Sequence, residues 1–364
     1  MKIKDVKAIR LAIPTKKTGI QVPWVWGART IVIVEVTTED GLTGYGEAFG
    51  YGAPEAVTAV VNHTLRPHLI GQDARDIAGL NLAMYQKTHL WGRYGITTFG
   101  ISGVDIALWD LAGKRAGMPL ADLLGGASSR EVPAYASLVR YEEGAGEISE
   151  HAAQAVREGY GMIKLHQSAV ESVALAREAI GDEMPLTVDI NCQWSPLKST
   201  EMAIAMDEYD LTWLEEPVWP PEDFAGLAAV QEGGGVPLAA GENACTAHQF
   251  QAMAEAGAVS YMQPSATKVG GISEFLKVAT LAETFNLGLA PHSPYFGPGF
   301  LATLHLIAHC GRARWVEKIY FDLEVSPFSP ALEPVNGVYQ LPDGPGLGLE
   351  LNADVVKEFS IPEE

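Results

Sequence analysis

The chain has 364 residues, an apolar fraction of 47% and a formal net charge of −20. That length supports a large buried core and two structural units, while the acidity argues against nucleic acid or an anionic membrane as a partner, since both attract positive charge. Cys192, Cys245 and Cys310 lie far apart without CxxC spacing, no apolar leader follows Met1, and no run reaches membrane-spanning length, so a reducing, cytoplasmic setting is expected.

In chain order, residues 3–13 alternate loosely and Ile31-Val32-Ile33-Val34-Glu35-Val36 is rich in β-branched residues, so both read as strands. Asp40-Gly41 is a hairpin signal before a third strand over 42–47. Helical periodicity follows over 54–65 and 101–116. These elements predict a small α+β unit over residues 1–126. Beyond it, short apolar runs begin near residues 132, 161, 185, 211, 236, 258, 286 and 313, most of them separated by amphipathic stretches such as 147–158 and 170–180. Eight strands at a period near 25 residues predict a (β/α)8 barrel over 127–326 in place of an open doubly wound sheet. No G-x-G-x-x-G follows a strand, which disfavours a dinucleotide fold. The Pro- and Gly-rich tail, 327–364, is expected to leave the barrel and complete the first unit.

Three carboxylates stand out. Asp189, Glu215 and Glu242 each follow a short apolar run, and they are 26 and 27 residues apart, about one strand-helix unit each. In a parallel barrel, successive strand ends lie side by side on one rim, where catalytic residues sit. Three anions at one point repel unless a divalent cation holds them, and an oxygen-only set suits Mg²⁺. The same rim gathers Lys164 and His166, which point one way as an i, i+2 pair. Asp189 and Asn191 pair likewise, His292 closes the seventh strand and Glu317 the eighth.

With these residues assembled, the chain resembles the enolase superfamily, in particular its mandelate-racemase-like subgroup. The resemblance is carried by Gly44-Tyr45-Gly46-Glu47, by Ser102-Gly103-Val104-Asp105-Ile106-Ala107-Leu108-Trp109-Asp110-Leu111, and by Asp189-Ile190-Asn191. Glu215-Glu216-Pro217, Gly241-Glu242-Asn243, Lys268-Val269-Gly270-Gly271 and Gly344-Pro345-Gly346-Leu347-Gly348 complete it. It implies an α+β cap over a modified (β/α)8 barrel, a Mg²⁺ cofactor on Asp189, Glu215 and Glu242, a small carboxylate substrate and a homo-oligomer. It also implies a shared first step, in which a base removes the proton α to the carboxylate and the metal stabilises the enediolate.

The resemblance assigns roles residue by residue. Glu317 matches an acid that, when protonated with a raised pKa, donates a hydrogen bond to the substrate carboxylate. Lys164 and His166 match a pair that is usually Lys-x-Lys, with His166 at the base position and Lys164 beside the carboxylate. A histidine is neutral near pH 7 with less depression than a lysine needs. His292 matches the histidine on the opposite face, which a sixth-strand Asp usually orients. Here that position is Ser265, which cannot stabilise an imidazolium as a carboxylate does, so His292 is expected to be a poorer base and a better acid. This combination points to a lyase that dehydrates a sugar acid. A racemase, epimerase or cycloisomerase is the second reading, and a catalytically silent binding scaffold the third. The cap should cover the barrel mouth and set specificity through Trp24, Trp26 and Tyr51, with Asn191 and Ser265 among further substrate contacts.

Overall fold

A computed structural model describes residues 1–16 and 28–362. Trp24 and Trp26 lie outside the described residues. Among those described, no helix is long and apolar enough to cross a membrane, and all three cysteines are free thiols.

The N-terminal sheet is an antiparallel meander of β1 (Ile3–Pro14), β2 (Ala28–Thr38) and β3 (Thr43–Ala48). The expected turn joins β2 to β3, with Gly41 in the left-handed region at φ +89°. β2 is apolar on both faces because both are covered. Val32, Val34 and Val36 pack towards Val104, Ala107 and Leu111 of the helix Ile96–Ala116, while Ile31 and Ile33 join Leu11, Ile13, Leu323 and Val355. That helix approaches β3 so closely that a Cβ on Gly46 would lie 2.0 Å from the Gly103 carbonyl oxygen. The glycines of Gly44-Tyr45-Gly46 therefore serve helix-sheet contact.

The expected eight strands are present. β4 (Glu131–Ser137), β5 (Ile163–Leu165), β6 (Leu186–Asp189), β7 (Leu211–Glu215), β8 (Leu238–Ala240), β9 (Tyr261–Met262), β10 (Gly288–Leu289) and β11 (Val316–Ile319) form a curled parallel sheet with a helix between each pair. β11 pairs with β4, and a parallel bridge from Leu289 to Ala313 links β10 towards β11. A continuous apolar core packs the strands against the surrounding helices. In the tail, Val338–Gln340 pairs with β4 at the barrel, whereas Ser360–Ile361 pairs with β1 of the cap.

The seam between cap and barrel uses the helix Ile96–Ala116. Buried Asp105 accepts hydrogen bonds from Ser273 N–H at the start of the helix Gly271–Thr284 and from Asn81 Nδ2, both at 2.9 Å. Trp109 Nε1–H donates to Ser273 Oγ at 3.0 Å, and Ser102 Oγ accepts from Gly270 N–H at 2.9 Å. From β3, Glu47 accepts from Gly299 N–H at 2.9 Å, near the start of the helix Pro298–His309. A carboxylate is favourable at a helix N-terminus. This docking sets Phe49 and Tyr51, just after β3, at the mouth of the barrel.

Candidate active site

A cavity of about 240 Å³ opens at the C-terminal ends of the barrel strands. Its lining includes Lys164, His166, Asp189, Asn191, Glu242, His292 and Glu317, with Phe49 and Tyr51 contributed from the cap. Parallel register explains the convergence of the acids. Asp189 at the end of β6 is the strand partner of Glu215 at the end of β7, Glu215 is in turn the partner of Ala239, and Glu242 follows three residues later. Left-handed residues turn the chain out of the strands just beyond the acids, with φ +48° at Asn191 and +41° at Glu216. Asn191 N–H donates back to Asp189 Oδ1 at 2.8 Å.

One ligand oxygen from each of Asp189, Glu215 and Glu242 lies within 4.8 Å of the others. Among them runs Lys164, fully buried, whose Nζ is 2.6 Å from Glu215 Oε1, 3.0 Å from Asp189 Oδ2 and 3.2 Å from Glu317 Oε1. Burial opposes its charge, but these three acids outweigh burial and hold the ammonium firmly protonated. One ammonium cannot neutralise the three buried carboxylates that share it. Burial pushes Glu215 well up, with Lys164 only partly offsetting it. Burial also opposes ionisation of Glu242, but His292 and Lys268 outweigh it and lower it to about 2. Asp189 Oδ2 is buried and has only Lys164 Nζ, at 3.0 Å, and His166 Nε2, at 3.5 Å, beside it. An all-oxygen cluster at a point where three buried carboxylates share one ammonium fits a hard divalent cation.

Glu317 differs from the expectation of a raised pKa. Burial pushes its carboxyl up, but Lys164 and His292 outweigh burial and hold it below the ordinary range. It is an acceptor, taking a hydrogen bond from Ser293 N–H at 3.1 Å.

The two histidines are anchored differently. His166 Nδ1 is 2.5 Å from the Leu138 carbonyl oxygen. A carbonyl only accepts, so Nδ1 carries the hydrogen and, in the neutral ring, Nε2 is left as a lone pair on the cavity side, 3.5 Å from Asp189 Oδ2. His292 Nε2 is 2.9 Å from Glu242 Oε2, and its Nδ1 is 3.0 Å from the Tyr295 hydroxyl. Ser265 is fully buried, and its hydroxyl meets that of Tyr295. Tyr51 is half exposed at the cavity rim.

Sequence reasoning passes over Trp213 and Tyr295 as supports of this site, and reads Lys268 as a structural or supporting residue. Trp213 Nε1–H donates to Glu215 Oε2 at 3.0 Å, and its position two residues before Glu215 on the same strand face was the available signal. Lys268 Nζ sits 3.8 Å from Glu242 Oε1 and 4.7 Å above the Phe49 ring. Tyr295 is three residues beyond His292, in a loop whose path no periodicity reveals.

Known proteins of similar sequence and structure share this architecture. The chain is 34% identical over 357 residues to D-galactarolactone cycloisomerase of Agrobacterium fabrum, covering 92% of each chain. It is 34% identical over 340 residues to arabinonate dehydratase of Saccharolobus solfataricus, covering 90% of each. The crystal structure of L-talarate dehydratase from Polaromonas sp. JS666, complexed with Mg and L-glucarate, superposes with a TM-score of 0.85 at 31% identity, covering 99% of this chain and 98% of that one. Residues 13–125 match the mandelate racemase / muconate lactonizing enzyme N-terminal domain, and residues 147–355 match the enolase C-terminal domain-like family. The chain therefore belongs to the mandelate racemase / muconate lactonizing enzyme family of the enolase superfamily.

Proposed function

We propose that the protein is a Mg²⁺-dependent hydro-lyase that removes water from a sugar acid. The observation that carries this reading is the pair of differently anchored histidines, His166 and His292, beside the three-acid cluster. Asp189, Glu215 and Glu242 would hold the metal, which when bound supplies a positive charge that stabilises the negative charge growing on the substrate carboxylate. Lys164, kept protonated by its acid neighbours, adds a second positive charge beside the same group.

His166 is the base. Its Nε2 lone pair takes the α-proton, and the C–H electron pair moves into the carboxylate to give the enediolate. His292, in its protonated form, then gives the Nε2 proton to the β-hydroxyl. As that C–O bond breaks, the enediolate electrons form the Cα=Cβ bond and water leaves. The resulting enol tautomerises to a 2-keto acid. Phe49, from the cap, narrows the mouth and limits access of water to the intermediate.

Two relatives at the same identity, a dehydratase and a cycloisomerase, support keeping isomerisation as the second reading. Incubating a panel of sugar acids and their lactones with enzyme and Mg²⁺ in D₂O, followed by NMR, separates the two. Dehydration yields a 2-keto acid, whereas isomerisation retains substrate mass. Activity of either kind should vanish with EDTA and return with Mg²⁺. If no acid or lactone reacts or exchanges its α-proton, the enzyme reading fails.

A further inference from the structure

The sixth-strand position that would orient His292 holds a serine, and a lone serine leaves a catalytic imidazole poorly restrained. The neighbouring loop supplies what is missing. Tyr295 Oη lies 3.0 Å from His292 Nδ1, with the two rings 5.8 Å apart and tilted by 80° in an edge arrangement. The same hydroxyl contacts Ser265 Oγ, and Ser265 Oγ is 3.5 Å from Thr267 Oγ1. Ser265 and Thr267 are fully buried and Tyr295 nearly so. A buried phenol needs only one partner to be satisfied, and Ser265 would suffice. The second contact, to the imidazole, is an additional arrangement.

Tyr295 does not line the cavity, so it acts only through His292. We propose that Tyr295 is the positioning residue for His292: its hydroxyl, anchored by Ser265, holds the Nδ1 edge in place of the usual sixth-strand carboxylate, and so fixes the ring with Nε2 towards Glu242 on the cavity wall. A hydroxyl both donates and accepts, so it stays bonded to Nδ1 whether that nitrogen carries a hydrogen or a lone pair; a carboxylate bonds it only in the first case. The anchor is also uncharged. Ser293 fixes the adjacent backbone, since its N–H and Oγ are both bonded to Glu317. The imidazole is thus held from its main chain and from Nδ1, while Nε2 meets the Glu242 carboxylate at 2.9 Å. The functional consequence rests on His292 completing the reaction proposed above, but the geometry can be tested without a substrate.

The test compares wild-type enzyme with Tyr295→Phe, both with Mg²⁺ and with ¹⁵N-labelled histidine. Long-range ¹H–¹⁵N NMR reads the hydrogen bonding of each ring, with His292 assigned by its loss in His292→Asn and His166 by its loss in His166→Asn. The proposal expects the His292 ring nitrogens to shift in Tyr295→Phe while those of His166, bonded to a main-chain carbonyl, stay in place. Ser265→Ala, which removes the anchor but keeps the phenol, should give a smaller shift of the same signals and serves if Tyr295→Phe folds poorly. Unchanged His292 signals in both variants overturn the proposal. With any acid that the wild type converts, Tyr295→Phe should lower kcat about 10-fold or more, as displacement of a reacting group does, while α-deuterium exchange stays within about 2-fold and KM changes little. Equal loss of exchange and product would assign Tyr295 a merely structural role and overturn the proposal. If the wild type converts nothing, the functional reading fails while the NMR comparison still decides the positioning role.

Discussion

The two flanks of the cavity hold their histidines in opposite ways. On the β5 side, His166 is bonded to a main-chain carbonyl and lies one residue from Leu165 and two from the protonated Lys164. On the β10 side, His292 is bonded to a phenol that is anchored by a serine. A main-chain anchor comes with strand register and changes only if the barrel changes. A side-chain anchor is set by individual residues, so one substitution can redirect the group it holds. Under the proposed reading, proton removal is thus built into the barrel, while the step that follows it depends on replaceable side chains.

The largest effect should come from the β5 flank. His166→Asn removes the proposed base and should reduce α-proton exchange by about 10³-fold, read as deuterium incorporation by NMR with Mg²⁺ present. Retained exchange would move the base to the other flank and reverse the comparison. Lys164→Met leaves Asp189, Glu215 and Glu317 without their common cation. Removing one partner of a buried ionic cluster costs about 3–5 kcal/mol, so urea unfolding in EDTA should show a loss of that order. A change below about 1 kcal/mol would mean that the acids relax by taking up protons.

On the β10 flank, His292→Asn should lower product formation by about 10²-fold yet leave part of the α-exchange. Loss of both together would show that the flanks act as one unit. A control lies at the cap-barrel seam. Burial pushes Asp105 from 3.8 up to about 6, only partly offset by its hydrogen bonds to Ser273 and Asn81. The folded state therefore binds this proton more tightly than the unfolded chain does. Its stabilising contribution is fully present below pH 3.8 and is lost as pH rises through about 6. A shift of that size corresponds to roughly 2–3 kcal/mol. Asp105→Asn should remove this component from the difference in unfolding free energy between pH 7.5 and pH 4, without altering the ratio of exchange to product. An altered ratio would mean that cap docking, and not the anchoring of the two histidines, governs the partition.

The strand rhythm and the acids were legible because both obey local rules. Alternation and β-branching marked β2, the 25-residue period marked the barrel, and an acid after an apolar run marked each of Asp189, Glu215 and Glu242. Glu317 was legible as a position but not as a charge state. Its direction depends on Lys164 at 3.2 Å and on His292, which are 153 and 25 residues away in the chain. The motif Ser102-Gly103-Val104-Asp105 was visible as a resemblance, whereas its job of docking the cap on Gly270 and Ser273 required the packed structure.

By itself the sequence determined the barrel, its cap and which carboxylates converge, because the period of strand and helix dictates which residues reach the same rim. Only the tertiary structure decided which nitrogen of His166 meets the main chain, that Lys164 and His292 hold Glu317 below the ordinary carboxyl range, and that Tyr295 meets the Nδ1 edge of His292. The physical reason is range. Backbone periodicity acts between near neighbours in the chain, whereas hydrogen-bond direction and buried charge depend on atoms a few ångströms apart that distant segments bring together.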